Sequence, residues 1–195
     1  MDNSLQDARN LLHKFCGMSD TAFSLSKKLW TVKDYLKGEK YNARGQVCKT
    51  AGFIVDGYFR GYKMDNNGEE KNAFIYPPNQ ILVAYKSFVE QVPCNYDTEA
   101  VTDARLVGIG YDDLQRLYAL SSEWERFGRL LAEYAFTIVE ERFFGYYYLS
   151  AEERYRKLLK EMPEILNAVS LQHISSYLGI EPPSLSRIRK RISKL

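Results

Sequence analysis

The stretch from Ser170 to Leu195 constrains this chain more than any other. It reads SLQHISSYLG, then IE, then PPSLSRIRKRISKL. Leu171, Ile174 and Leu178 recur at helical spacing, which predicts one buried apolar stripe. Gly179 follows directly, where a helix end favours left-handed φ. Pro182 and Pro183 then open a second helix, because the first helical positions need no backbone N–H. In that helix Leu185, Ile188 and Ile192 form one face. Ser184, Arg187 and Arg191 form a neighbouring face, with Ser186, Arg189 and Lys190 beside them. A helix that is apolar inward and basic outward, set after a tight turn, is suited to the major groove of DNA. The competing reading is a solvated basic surface. Against it, the charge is local: Arg187, Arg189, Lys190, Arg191 and Lys194 stand against Glu181 alone.

The charge of the whole chain sharpens that contrast. Of 27 Lys/Arg and 25 Asp/Glu, nine and five lie from Ser150 onward, leaving 18 basic against 20 acidic side chains before it. A basic tail on a slightly acidic body is expected if only the tail meets a polyanion. At 195 residues the chain is long enough for one or two domains with a core. Cys16, Cys48 and Cys94 are far apart, without a C-x-x-C pair, and a lone His13 before Cys16 is the one histidine close to any of them. That argues against a disulfide framework or metal site and for reduced, packed thiols in a cytoplasmic protein. The opening MDNSLQDARN lacks the apolar core of a signal peptide, and no stretch approaches the roughly twenty apolar residues of a membrane span. No nucleophile elbow, P-loop or metal-ligand spacing assembles a catalytic set, so no catalytic residue, metal or cofactor is expected.

Ahead of the tail, residues 3–15 predict an amphipathic helix with Leu5, Leu11, Leu12 and Phe15 inward. Residues 19–30 hold a further turn or two. From Thr31 to Gly110 the character changes to short β-branched and aromatic runs broken by turn signals. Candidate strands are 31–36, 53–62, 70–76, 81–84, 96–101 and 105–109, with a hairpin at Asp65-Asn66-Asn67-Gly68. Such strands suggest a sandwich or rolled barrel. Residues 112–119 form a short helix, and a long one follows from Ser121 to about Tyr148. In it Trp124, Phe127, Leu131, Tyr134 and Ile138 keep the three-four spacing of a coiled-coil seam, whereas Phe136, Val139, Phe143 and Tyr147 point another way. Two apolar faces call for two partners: the body of the same subunit and a second copy. A helix over 150–162 starts with Ser150 and Glu153 at capping-box spacing and is limited by Pro163.

In this order, LSAEERYRKLLKEMPEIL, ISSYLGIEPPSLSRIRKR and the roll segment GFIVDGYFRGY resemble the CRP/FNR family of bacterial transcription regulators, most of all its short Bacteroidetes-type members. The resemblance implies an α+β fold. A cyclic-nucleotide-binding-like jelly roll with N-terminal helices would span 1–120 and a dimerisation helix 121–149. A helix-turn-helix domain without a full wing would span 150–195. It also implies a homodimer on a near-palindromic DNA site, with RNA polymerase as a partner if the output is activation. By motif position Pro182, Pro183, Ser184 and Arg187 take the base-reading slots, although Pro183 has no donor to offer. Ser186 lies beside them, and Arg189, Lys190, Arg191 and Lys194 suit phosphates. In the roll, the family's cyclic AMP cassette needs a Gly-Glu pair and an Arg followed by Ser or Thr. Val83 and Ala84 stand in place of the first, ahead of Tyr85, and Cys94 and Asn95 near the second. Without the arginine's bidentate contact, cyclic AMP and cyclic GMP are not expected to bind. The roll then either shapes the dimer or holds an effector that the sequence does not name. A ligand sensor that works through protein contacts instead of DNA is the competing function.

Overall fold

The computed structural model describes residues 3–192. Two helices lead: α1 (Asn3–Cys16) and α2 (Asp20–Ser26), the latter capped by the Ser19 hydroxyl, which accepts from the Ala22 N–H. The β region follows with β1 (Trp30–Tyr35), β2 (Lys40–Asn42), β3 (Thr50–Asp56), β4 (Phe59–Met64), β5 (Glu70–Tyr76) and β6 (Ile81–Leu82). A short helix α3 (Tyr85–Glu90) precedes β7 (Asp97–Ala100) and β8 (Ala104–Gly110). The strands form two four-stranded antiparallel sheets, ordered β1-β8-β3-β6 and β2-β7-β4-β5. Ile54, Phe59, Leu82, Ala100 and Leu106 fill the space between them.

The run 53–62, expected as one strand, is two. Gly57 breaks it at φ +82°, and a Cβ there would collide with the Asp103 carbonyl oxygen. Because of that turn, β3 and β4 lie in different sheets. The β4–β5 hairpin is closed by Asp65, whose carboxylate accepts from the N–H groups of Asn67 (2.8 Å) and Glu69 (3.0 Å).

After the roll come α4 (Tyr111–Leu120) and the long α5 (Ser122–Tyr148). The structure corrects one expectation for α5. Trp124, Phe127 and Leu131 are 0, 3 and 4% exposed, in a core shared with α1, α2, β3 and β8. They are covered within one chain and are not free to form a seam with a second. Tyr134 is half-buried against Phe15, with ring centroids 5.8 Å apart, and Ile138 is also half-buried. The physical reason is proximity: α1 and α4 flank this half of α5, so its apolar spacing is used up inside the subunit.

Four helices complete the chain: α6 (Ala151–Glu161), α7 (Ile165–Ala168), α8 (Leu171–Leu178) and α9 (Pro182–Ile192). The capping box at Ser150 and Glu153 is formed. Tyr155, Leu158, Ile165, Ile174, Leu178, Leu185 and Ile188 build their core, which continues onto Tyr58, Ile75 and Val101 of the roll.

Candidate nucleic-acid interface

The basic helix α9 stands on α8 through Leu185 and Ile188, both buried against Ile174 and Leu178. Gly179 turns the chain between them at φ +68°, its N–H directed at the carbonyls of Ser175 and Ser176. That turn is short because Gly179 takes the left-handed conformation, and it fixes which side of α9 faces out. Ser186, Arg187, Lys190 and Arg191 are exposed; Ser184 and Arg189 are half-buried. Arg187 makes no ion pair among the described residues. Arg191 pairs with Glu152 at 3.0 Å, and Glu152 also takes Arg156 at 2.9 Å. Such an exposed pair contributes little to stability and leaves the guanidinium exchangeable. The Ser186 hydroxyl donates back to the Pro182 carbonyl (3.1 Å). Lys194, expected at a phosphate, lies outside the described residues.

Sequence reasoning missed how α8 is held. It lies along β5, the outermost strand of its sheet, and covers that edge. The Asn72 N–H donates to Ser176 Oγ (2.9 Å), the Ser176 hydroxyl donates to the Glu70 carbonyl (3.1 Å), and the Asn72 amide donates to the His173 carbonyl (3.0 Å). Beneath them the buried Arg60 donates to Glu99 at 2.6 and 2.9 Å, pairs with Glu70, and faces His173 Nδ1 at 3.1 Å. Burial first, and then the Arg60 charge, hold the His173 pKa below the ordinary imidazole value. The available signal was Arg60 itself, a charge inside the apolar run GFIVDGYFRGY.

In the roll, Val83 and Ala84 lead from β6 into α3, with Ala84 buried at the helix N-cap and Tyr85 half-buried as the first helical residue. Cys94 is buried and Asn95 exposed at the entry to β7. No guanidinium stands at either position. Tyrosines line the nearby interior. The Tyr41 hydroxyl donates to the carbonyls of Thr50 and Leu82, and Phe74 stacks on Tyr76 (5.7 Å) and lies 6.1 Å from Tyr96. Burial pushes the Cys94 thiol above its ordinary pKa, the opposite of an activated thiolate. Among the described residues no His/Cys/Asp/Glu cluster could hold a metal ion, and no helix is long and apolar enough to cross a membrane.

A two-sheet roll, a long helix and a C-terminal helix-turn-helix together define the architecture of the CRP/FNR transcription regulators, and this chain has that fold. FixK2 from Bradyrhizobium japonicum superposes with a TM-score of 0.71 at 20% identity, covering 85% of each chain. A transcriptional regulator of the CRP/FNR family from Eubacterium rectale gives 0.71 at 14% identity over 94% of this chain and 88% of the other. The c-di-GMP responsive global regulator CLP of Xanthomonas campestris gives 0.68 at 14% identity over 90% and 92%. No protein-family model matches the sequence, and no curated protein matches it. The likeness is therefore one of fold.

Proposed function

We propose that this chain is a DNA-binding transcription regulator that acts as a homodimer on a near-palindromic site. The observation that carries the reading is α9, which couples a buried apolar face to an exposed cationic one immediately after a left-handed turn. Arg187 is assigned to guanine O6 and N7, since it is exposed and its fork is uncommitted. Ser184 and Ser186 flank it, and Arg189, Lys190 and Arg191 are assigned to phosphates. The second copy is assigned to the far half of α5, where Phe136, Val139, Phe143 and Tyr147 are 68, 54, 55 and 73% exposed. Cyclic AMP and cyclic GMP are not assigned as effectors, because Cys94 and Asn95 offer a cyclic phosphate no cation.

The test is selection of bound duplexes from a random pool by the full chain, followed by anisotropy titrations across a salt series. The expected result is an enriched near-palindrome whose log affinity falls linearly with log salt. Arg187→Ala should weaken specific binding by about 1–3 kcal/mol and relax preference at one base pair per half-site. Unchanged affinity and preference in that variant removes Arg187 from the reading. A sensor acting through protein contacts predicts no enriched sequence at all.

A further inference from the structure

Between the roll, the far half of α5 and the helix-turn-helix lies a cleft of about 330 Å³, at the small end of the range for ligand sites. Phe74 and Tyr76 of β5, Tyr146 of α5 and Tyr177 of α8 give it aromatic walls. Three cations line it, and they differ in what they hold. Lys157 is neutralised by Glu141 (3.0 Å) and Glu161 (3.6 Å). Arg154 spends its donors on the carbonyls of Leu149 (2.7 Å) and Leu178 (3.0 and 3.2 Å). Arg142 is half-buried, sits 3.9 Å over the Tyr177 ring and 5.8 Å from Phe74, and makes one long bond to the Tyr177 carbonyl (3.4 Å). No carboxylate pairs with it among the described residues.

We propose that this cleft is a binding site for a small planar aromatic monocarboxylate. A guanidinium carries five N–H donors in a fork that matches a carboxylate, and Arg142 commits one of them. The rings that orient Arg142 also offer faces to a flat ligand. A single uncommitted cation selects a monoanion: a second negative charge would meet Glu141 and Glu161. The volume admits a bicyclic molecule. Such an occupant touches β5, α5 and α8 together and so bears on how the helix-turn-helix sits against the roll. Its binding is read without DNA and stands or falls separately from the proposed function.

The experiment is isothermal titration of the full chain with indole-3-acetate and 4-hydroxycinnamate, each beside its neutral amide. Saturable binding of one acid per chain is expected, with its amide about tenfold weaker or worse, the loss of one charge-assisted bond. Arg142→Gln should weaken the acid by a similar factor. Gly145→Leu should block the cleft without backbone strain, since a Cβ there meets only Leu149 Cδ1, at 3.9 Å. Arg129→Gln, on the same helix and exposed, should change nothing. Absence of saturable binding by either acid at low-millimolar concentration overturns the proposal. So does equal binding of acid and amide, or binding that survives both cleft variants.

Discussion

The two halves of α5 carry similar apolar side chains and meet opposite fates. In the near half the Trp124 indole donates to the Ala22 carbonyl (2.9 Å) and stands edge-on to Phe127 (5.7 Å). Phe127 in turn meets Phe15 (5.9 Å) and Phe53 (6.4 Å), so rings from three different elements interlock. In the far half Phe143 lies tilted against Tyr147 (4.8 Å) and Phe144 stacks on Tyr148 (5.8 Å), all along one helix, with their outer faces in solvent. An apolar spacing says that a face will be covered; the lengths of the neighbouring elements decide by what. Here α1, α4 and β3 bury the face as far as Leu131, α1 still covers part of Tyr134, and beyond it Phe136, Val139, Phe143 and Tyr147 are left exposed.

The largest expected effect tests the near half. Trp124→Ala removes a fully buried ring and should cost about 3–5 kcal/mol in urea unfolding, whatever the protein concentration. The double change Phe136→Glu with Phe143→Glu tests the far half. Sedimentation should show a dimer turned to a monomer, and the concentration dependence of the melting temperature should vanish while the dilute monomer keeps its fold. If instead the double variant unfolds as Trp124→Ala does, the far half is a core and the contrast is void.

A smaller effect concerns the joint between the roll and α8, which is polar where the near half of α5 is apolar. Neutral His173 is favoured there by burial and by Arg60, with a weaker push from Lys37, while Glu70 and Glu99 pull toward the cation. Its folded pKa lies below its unfolded one, so its contribution is complete above about pH 6.5 and is lost as pH falls through the folded value. Unfolding midpoints measured from pH 7.5 to 5 should drop over that window. His173→Asn, which keeps an acceptor toward Arg60 and cannot titrate, should flatten the drop. A drop of equal size in both proteins would assign it to other groups.

The order of elements was legible because each left a local mark. Ser150 and Glu153 announced α6, Gly179 the turn before α9, and Asp65 to Gly68 the hairpin. The strand boundary at Gly57 was missed: Asp56-Gly57 interrupts the apolar run as a turn dipeptide does, but the close approach that requires glycine there is to Asp103, 46 positions later. The joint of Asn72, His173 and Ser176 was hidden for the same reason. Its hydrogen bonds span about a hundred residues, and no single-segment pattern encodes a partner at that distance. The cations of α9 were visible as a cluster, whereas the capture of Arg191 by Glu152 follows from how α6 and α9 happen to pack.

The smallest prediction uses two glycines of α5, one in each half. Neither has positive φ, so their backbones tolerate any residue, and surroundings alone decide the outcome. At Gly145 a Cβ meets only Leu149 Cδ1, at 3.9 Å, so Gly145→Ala should stabilise the chain by about 0.5–1 kcal/mol through the lower entropy of the unfolded state. At Gly128 a Cβ would stand 2.8 Å from Tyr118 Cζ, where α4 crosses close to α5. The half-buried Tyr118 ring must move to admit it, so Gly128→Ala should forfeit that gain or reverse its sign. Chemical denaturation of the two variants under identical conditions reads the difference directly. Equal gains at both positions would mean that the near half of α5 is packed no more tightly against its neighbours than the far half.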